Sequence, residues 1–284
     1  MEIYLNQYTV DVVTLSKENT IHDALSLMQK NNIKRIVIVE RGIPIGIVTE
    51  RDFGNFLESD KTTRNLNEIR LKEIMSKNLI MISSELFDLL SQCAIRMDTF
   101  QISSVIIVNE NGKLVGLVTK SDIVRNFAIN YSRTYKVKDY MSKRVMTCRK
   151  TDSLYFGLDV LNKNKISRLV VTDNNGKAMG LITYDSFLRH SNYFKNPSRN
   201  YLLPEGSGKG MTVGDIIGSE LMTVNSEDDL AKAANLMIEY KVSGIPVVDS
   251  NDDLKGVISS TDIVKAYTKV ETHRRLAQND PHFI

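Results

Sequence analysis

Two cysteines in a chain of 284 residues make no disulfide framework, and Cys93 and Cys148 lack the spacing of a metal site. Cys93 falls on an apolar helix face, the place of a small core residue. The four histidines, His22, His190, His273 and His282, share no ligand spacing either. No apolar run approaches the length of about 18 residues needed to span a membrane. The start, Met1-Glu2-Ile3-Tyr4-Leu5-Asn6, lacks the basic opening and apolar core of a signal peptide, so a cytoplasmic location is expected. Charge of one sign is missing too: 37 basic against 34 acidic residues leave +3. A nucleic-acid binder shows a basic stripe, and this chain has none. No nucleophile–base set or pair of carboxylates stands out, so a catalytic role is not expected. What is present is 42% hydrophobic and 25% charged residues, the balance of a soluble globular protein with room for two domains.

One strand-to-helix turn is written four times. It reads Gly46-Ile47-Val48-Thr49-Glu50-Arg51-Asp52, then Gly116-Leu117-Val118-Thr119-Lys120-Ser121-Asp122. It returns as Gly256-Val257-Ile258-Ser259-Ser260-Thr261-Asp262 and, imperfectly, as Gly180-Leu181-Ile182-Thr183-Tyr184-Asp185-Ser186. A fixed repeat of this length is the first thing to establish, because it sets the fold. Before each turn lies a helical face at spacings of three, four and seven. These faces are Ile21, Ala24, Leu25 and Met28; Leu90, Cys93, Ala94 and Met97; Leu154, Gly157, Leu158 and Leu161; and Leu230, Ala233, Ala234 and Met237. Between face and turn runs a β-branched strand such as Ile36-Val37-Ile38-Val39, continuous enough to be covered on both sides. The hairpins turn at Arg41-Gly42, Asn111-Gly112, Asn175-Gly176 and Asp249 to Asp253; an Asn-Gly pair suits positive φ at both residues.

Aligning the helix faces also aligns Thr14, Ser83, Thr147 and Thr223 at the end of each first strand. Gly206-Ser207-Gly208-Lys209 is not a phosphate loop, because Leu203 and Gly210 stand where that motif needs Gly and Ser or Thr. The stretch from Tyr193 to Met211 reads as the longest linker, and the tail from Thr268 as a fraying end.

Each unit therefore reads strand, helix, strand, strand, helix in about 50 residues, a size that is marginal alone. Pairing solves this. Sequential neighbours usually pack together, so repeat one is expected against repeat two and repeat three against repeat four, sheet on sheet with clefts between. This βαββα repeat with Gly-apolar-apolar-Thr/Ser-x-x-Asp resembles the cystathionine-β-synthase (CBS) domain, as does Val242-Ser243-Gly244-Ile245-Pro246-Val247-Val248-Asp249. The resemblance implies an α+β fold of four CBS repeats paired into two pseudo-twofold Bateman modules. The expected boundaries are 1–68, 69–134, 135–195 and 196–270, with modules at 1–134 and 135–270 and a polar tail at 271–284. It further implies a non-catalytic regulatory or energy-sensing protein whose clefts bind adenine nucleotides (AMP, ADP or ATP). A homodimer, an intramolecular disc and an unknown regulated protein are the partners it suggests. S-adenosylmethionine or another adenosyl ligand, or a scaffold with vestigial sites, are the alternatives.

The candidate chemistry is specific. The carboxylates of Asp52, Asp122 and Asp262 suit the adjacent hydroxyls of a ribose. Thr49, Thr119, Thr183 and Ser259 offer hydroxyls to ribose or phosphate, and Arg51, Ser121 and Thr261 add a charge or hydroxyl just before the Asp. Groups near Thr14, Ser83, Thr147 and Thr223 would read the base edge, and Arg35 and Arg168 would neutralise a phosphate. The competing reading is a capping box, in which Thr and an acidic residue satisfy backbone donors at a helix start. Repeat three carries Ser186 where the Asp belongs, so its cleft is expected to be weak, empty or suited to another ligand.

Overall fold

The computed structural model describes residues 12–60, 62, 64–194, 210–218 and 221–277. The phosphate-loop candidate and most of the expected linker lie outside the described residues. Repeat one comprises β1 (Thr14–Leu15), α1 (Ile21–Asn31), β2 (Arg35–Glu40), β3 (Ile43–Thr49) and α2 (Glu50–Ser59). Repeat two has β4 (Met81–Ser83), α3 (Leu89–Thr99), β5 (Ser104–Val108), β6 (Leu114–Thr119) and α4 (Lys120–Asn130). After the short α5 (Val137–Tyr140), repeat three has β7 (Thr147–Arg149), α6 (Leu154–Lys163), β8 (Arg168–Thr172), β9 (Ala178–Thr183) and α7 (Tyr184–Leu188), followed by α8 (Ser191–Phe194). Repeat four has β10 (Val224–Asn225), α9 (Leu230–Glu239), β11 (Gly244–Val248), β12 (Leu254–Ser259) and α10 (Ser260–Ala277).

Each repeat builds its own three-stranded sheet: the first strand runs parallel to the second, and the second pairs antiparallel with the third. The helix faces read from sequence are the faces that are buried. The central strands are buried on both sides, with Val37, Ile106 and Val170 as closed to water as their neighbours. The β2–β3 hairpin turns at Arg41 (φ 52°) and Gly42 (φ 83°), the two left-handed residues of a tight turn. The Asn-Gly hairpins differ from expectation. Only Gly112 and Gly176 are left-handed there, because Asn109 and Asp173 fold back and accept the amides of Asn111 and Asn175. Asp249 does the same in repeat four, and Asp252 (φ 61°) takes the glycine's place.

The compact units do not follow the sequential grouping. One is built from repeats one and three, the other from repeats two and four. In the first, Ile21, Leu25, Phe53 and Leu57 share a core with Leu154, Leu158, Leu161 and Phe187. In the second, Leu90, Met97, Ile123 and Phe127 share one with Leu230, Met237, Ile263 and Tyr267. The reason is physical. No strand passes from one sheet to another, so adjacency in the chain fixes no partner for the apolar helix faces; the matching helix faces two repeats away cover them.

The connecting segments explain the glycine that leads three of the motifs. Ser76 exchanges two backbone hydrogen bonds with Ile47, at 3.0 Å each, and extends the sheet of repeat one. A Cβ on Gly46 would stand 2.5 Å from the Met75 sulfur. Ser142 pairs with Val257 in the same way, and Met141 fills the space over Gly256. Ile217 fills that over Gly180. The C-terminal end corrects a further expectation. The helix continues to Ala277, and Glu271 is buried and accepts the Tyr131 hydroxyl, so residues 268–277 do not fray. No helix among the described residues is long and apolar enough to cross a membrane.

Candidate functional site

Strand β3 ends at Thr49 and the chain turns directly into α2. Thr49 is extended and Asp52 sits three residues on, within the first turn, so the side chain of one reaches the backbone of the other. Asp52 Oδ2 accepts the Thr49 amide at 2.7 Å and the Thr49 hydroxyl at 2.7 Å. The arrangement recurs at Thr119 and Asp122 (2.7 and 2.8 Å) and at Ser259 and Asp262 (2.9 and 2.6 Å). In all three, one carboxylate oxygen takes both bonds.

In this geometry the hydroxyls of Thr49, Thr119 and Ser259 each donate to the following Asp and orient its carboxylate. What remains for a diol at Asp52 is the second oxygen, Oδ1. Burial holds the Asp52 carboxyl above the usual carboxylate range, against the Thr49 bonds that favour its charge. Asp52 also lines a cavity of about 250 Å³ together with Asn55, Phe56, Ser59, Glu73 and Ile74. Asp262 is the most enclosed of the three, at 6% exposure. Asp122 Oδ1 lies 3.8 Å from Arg125. In repeat three Ser186 Oγ accepts the Thr183 amide at 3.2 Å, while Asp185 turns to Arg189 at 2.7 Å. The helix that follows has five residues.

The residues just before the Asp separate. Arg51 donates to the Lys165 carbonyl at 3.0 Å and to Ser167 at 3.4 Å, so it ties repeat one to the loop before β8. Thr261 accepts a bond from Lys120 Nζ at 2.8 Å, and Ser121 is exposed. Arg35 stands directly opposite Thr49 in the sheet, and Arg168 opposite Thr183. Of the first-strand column, Thr14 and Thr147 pair with Val37 and Val170, the third residues of their central strands. Thr223 directly precedes Val224, whose partner is Val247, so it keeps the same level. Ser83 does not: it pairs with Val108, two residues farther on, and Met81 holds its place opposite Ile106. The cause is spacing: Leu90 follows Met81 by nine residues, whereas Ile21, Leu154 and Leu230 follow Thr14, Thr147 and Thr223 by seven, and the intervening stretch carries the exposed Leu86 and Phe87.

Sequence reasoning missed Lys120 and Glu50, the first residues of α4 and α2. Burial raises the Glu50 carboxyl above its usual range; Lys34 opposes this and the nearby Asp185 adds to it. A second cavity, of about 380 Å³, lies at the other end of the repeat-three sheet, lined by Arg149, Asp152, Phe156 and Asn174 among others. Cys93 and Cys148 are buried and free, and burial pushes both thiols up to about 12. No group of three or more His, Cys, Asp or Glu that could hold a metal ion occurs among the described residues.

The comparisons agree with this architecture. The sequence profile of the CBS domain matches residues 5–58, 71–129, 137–193 and 213–269. Protein MJ1404 of Methanocaldococcus jannaschii is 27% identical over 305 aligned positions, covering all of this chain and 68% of its own. Protein MJ1225 of the same organism is 26% identical over 90% of this chain and 95% of its own. Its crystal structure, described as that of a proposed archaeal homologue of g-AMPK, superposes with a TM-score of 0.79 at 23% identity, covering 91% of this chain and 96% of that one. A conserved protein of Pyrococcus horikoshii gives a TM-score of 0.63 at 18% identity over 93% of this chain and 98% of its own.

Proposed function

Because the chain belongs to the CBS domain family, we propose that it is a non-catalytic regulatory protein that binds an adenosine ligand, AMP, ADP or ATP, at its Asp motifs. The observation that carries this reading is the shared setting of Asp52, Asp122 and Asp262. In each, a backbone amide and a hydroxyl fix one carboxylate oxygen and so aim the other. A pre-oriented carboxylate loses little freedom when it accepts a sugar hydroxyl. Arg35 and Arg168 stand at strand starts beside the motif, where a phosphate would meet them. The likeness to MJ1225 supports the same direction. Repeat three, with Ser186 in place of the Asp, is the weakest of the four positions.

A second reading, a scaffold with vestigial sites, is favoured by the completeness of the capping boxes, which satisfy each motif internally. A thermal-shift series with adenosine, AMP, ADP, ATP and S-adenosylmethionine separates the two. A ligand at 100 times its dissociation constant adds about 2.7 kcal/mol of stability. A shift that vanishes in Asp262→Asn supports binding at the motif. No shift with any of these compounds leaves the scaffold.

A further inference from the structure

Lys120 has no part in the function proposed above, and its position is unusual. It opens α4 of repeat two, yet its Nζ donates to Thr261 Oγ1 of repeat four. Thr261 directly precedes Asp262, which is buried. An ammonium group from one repeat therefore stands at the motif of another, within one compact unit. Repeats one and three carry Arg35 and Arg168 opposite their motif hydroxyls; the same places in repeats two and four hold Ser104 and Gly244. The strand facing the motif brings no cation in this unit. A ligand whose sugar meets Asp262 and whose phosphate hangs from that sugar sets an anion beside a buried carboxylate. That arrangement is unfavourable unless a cation is close.

We propose that Lys120 is the phosphate-selecting residue of the repeat-four site, which takes a phosphorylated adenosine in preference to the bare nucleoside. This rests on the adenosine-ligand reading and names the ligand class within it. Asp262 holds the sugar, and Lys120, held in place by Thr261, neutralises the phosphate. A bond from an ammonium to a phosphate oxygen is charge-assisted, and its loss is worth about tenfold to a hundredfold in affinity.

Isothermal titration of the full chain with adenosine and with AMP tests this, using Lys120→Met, Lys120→Arg and Asp262→Asn. Lys120→Met is expected to weaken AMP about tenfold or more while adenosine changes less than about twofold. Lys120→Arg keeps most of the AMP preference and serves if the Met variant does not fold. Asp262→Asn weakens both ligands. Equal losses for adenosine and AMP in Lys120→Met identify Lys120 as a tether between repeats and overturn the inference, as does unchanged AMP affinity. AMP binding that survives Asp262→Asn but not Lys120→Met also overturns it. A wild-type chain that binds neither compound overturns the adenosine reading itself, a distinct result from binding without phosphate preference.

Discussion

Repeats three and four each build a sheet of the same strand order and then continue differently. After β12, Ser259 and Asp262 close a capping box and the helix runs 18 residues, with Ile263, Val264, Ala266 and Tyr267 buried along it. After β9, Thr183 and Ser186 close a capping box too, with a hydroxyl in the carboxylate's place, and the helix stops after five residues. A hydroxyl at this place accepts one backbone amide; one oxygen of a carboxylate accepts an amide and a hydroxyl. The single exchange thus keeps the capping box and removes the carboxylate, a candidate ligand contact. The short helix is compensated by packing: Tyr184 fills the notch left by Gly54 of repeat one and donates to Asn162, which in turn bonds Glu58.

The comparison breaks most sharply if repeat three's short helix is dispensable. Phe187 is fully buried there, and Phe187→Ala is expected to cost about 3–5 kcal/mol in denaturant unfolding. A loss below about 1 kcal/mol would mean that α7 contributes little. Next comes the notch. A Cβ on Gly54 would lie 2.4 Å from the Tyr184 ring, whereas repeat two carries Val124 at the same helical position. Gly54→Ala should therefore destabilise by about 1–3 kcal/mol, and Tyr184→Phe, which only removes the hydroxyl, should not relieve it. Asp262→Ser turns the start of repeat four into that of repeat three. It is expected to cost about 1 kcal/mol of stability and to weaken adenosine-ligand binding, measured by melting and titration of one sample.

The smallest effect is a pH dependence. The Glu50 carboxyl is raised in the folded state, so the folded chain holds its proton more tightly than the unfolded chain. Its contribution to stability is therefore greatest below the ordinary carboxylate range and falls as pH rises through the raised value. Glu50→Gln should flatten that fall, giving a melting temperature at pH 8 closer to that at pH 5 than in the wild type. An unchanged difference would show that Glu50 does not carry it.

What the sequence made legible was local. The helix faces followed from spacing alone, since Ile21, Ala24, Leu25 and Met28 can share a side only on a helix. The four-fold motif revealed the strand-to-helix turns for the same reason. Ser83 misled because its offset to Leu90 matches the other repeats while the strand pairing is shifted by two, so that Met81 holds the place in the sheet. The hydroxyl protons of Thr49, Thr119 and Ser259 could not be assigned before the Asp carboxylates were placed within reach. Arg51 and Lys120 reach partners more than a hundred residues away, at Lys165 and Thr261, and no spacing within a repeat announces such a contact. The grouping of repeats one with three and two with four is equally silent in the chain, because all four helix faces are apolar in the same way.

The strip around Ser142 has a consequence for how the chain is made. It leaves the ribosome straight after repeat two, yet its hydrogen-bonding partner is Val257, in the last strand of repeat four. Until that late strand emerges, Met141 has no glycine to cover and the backbone of Ser142 stays open to water. Vectorial synthesis thus leaves this half of the protein unlatched until repeat four has emerged.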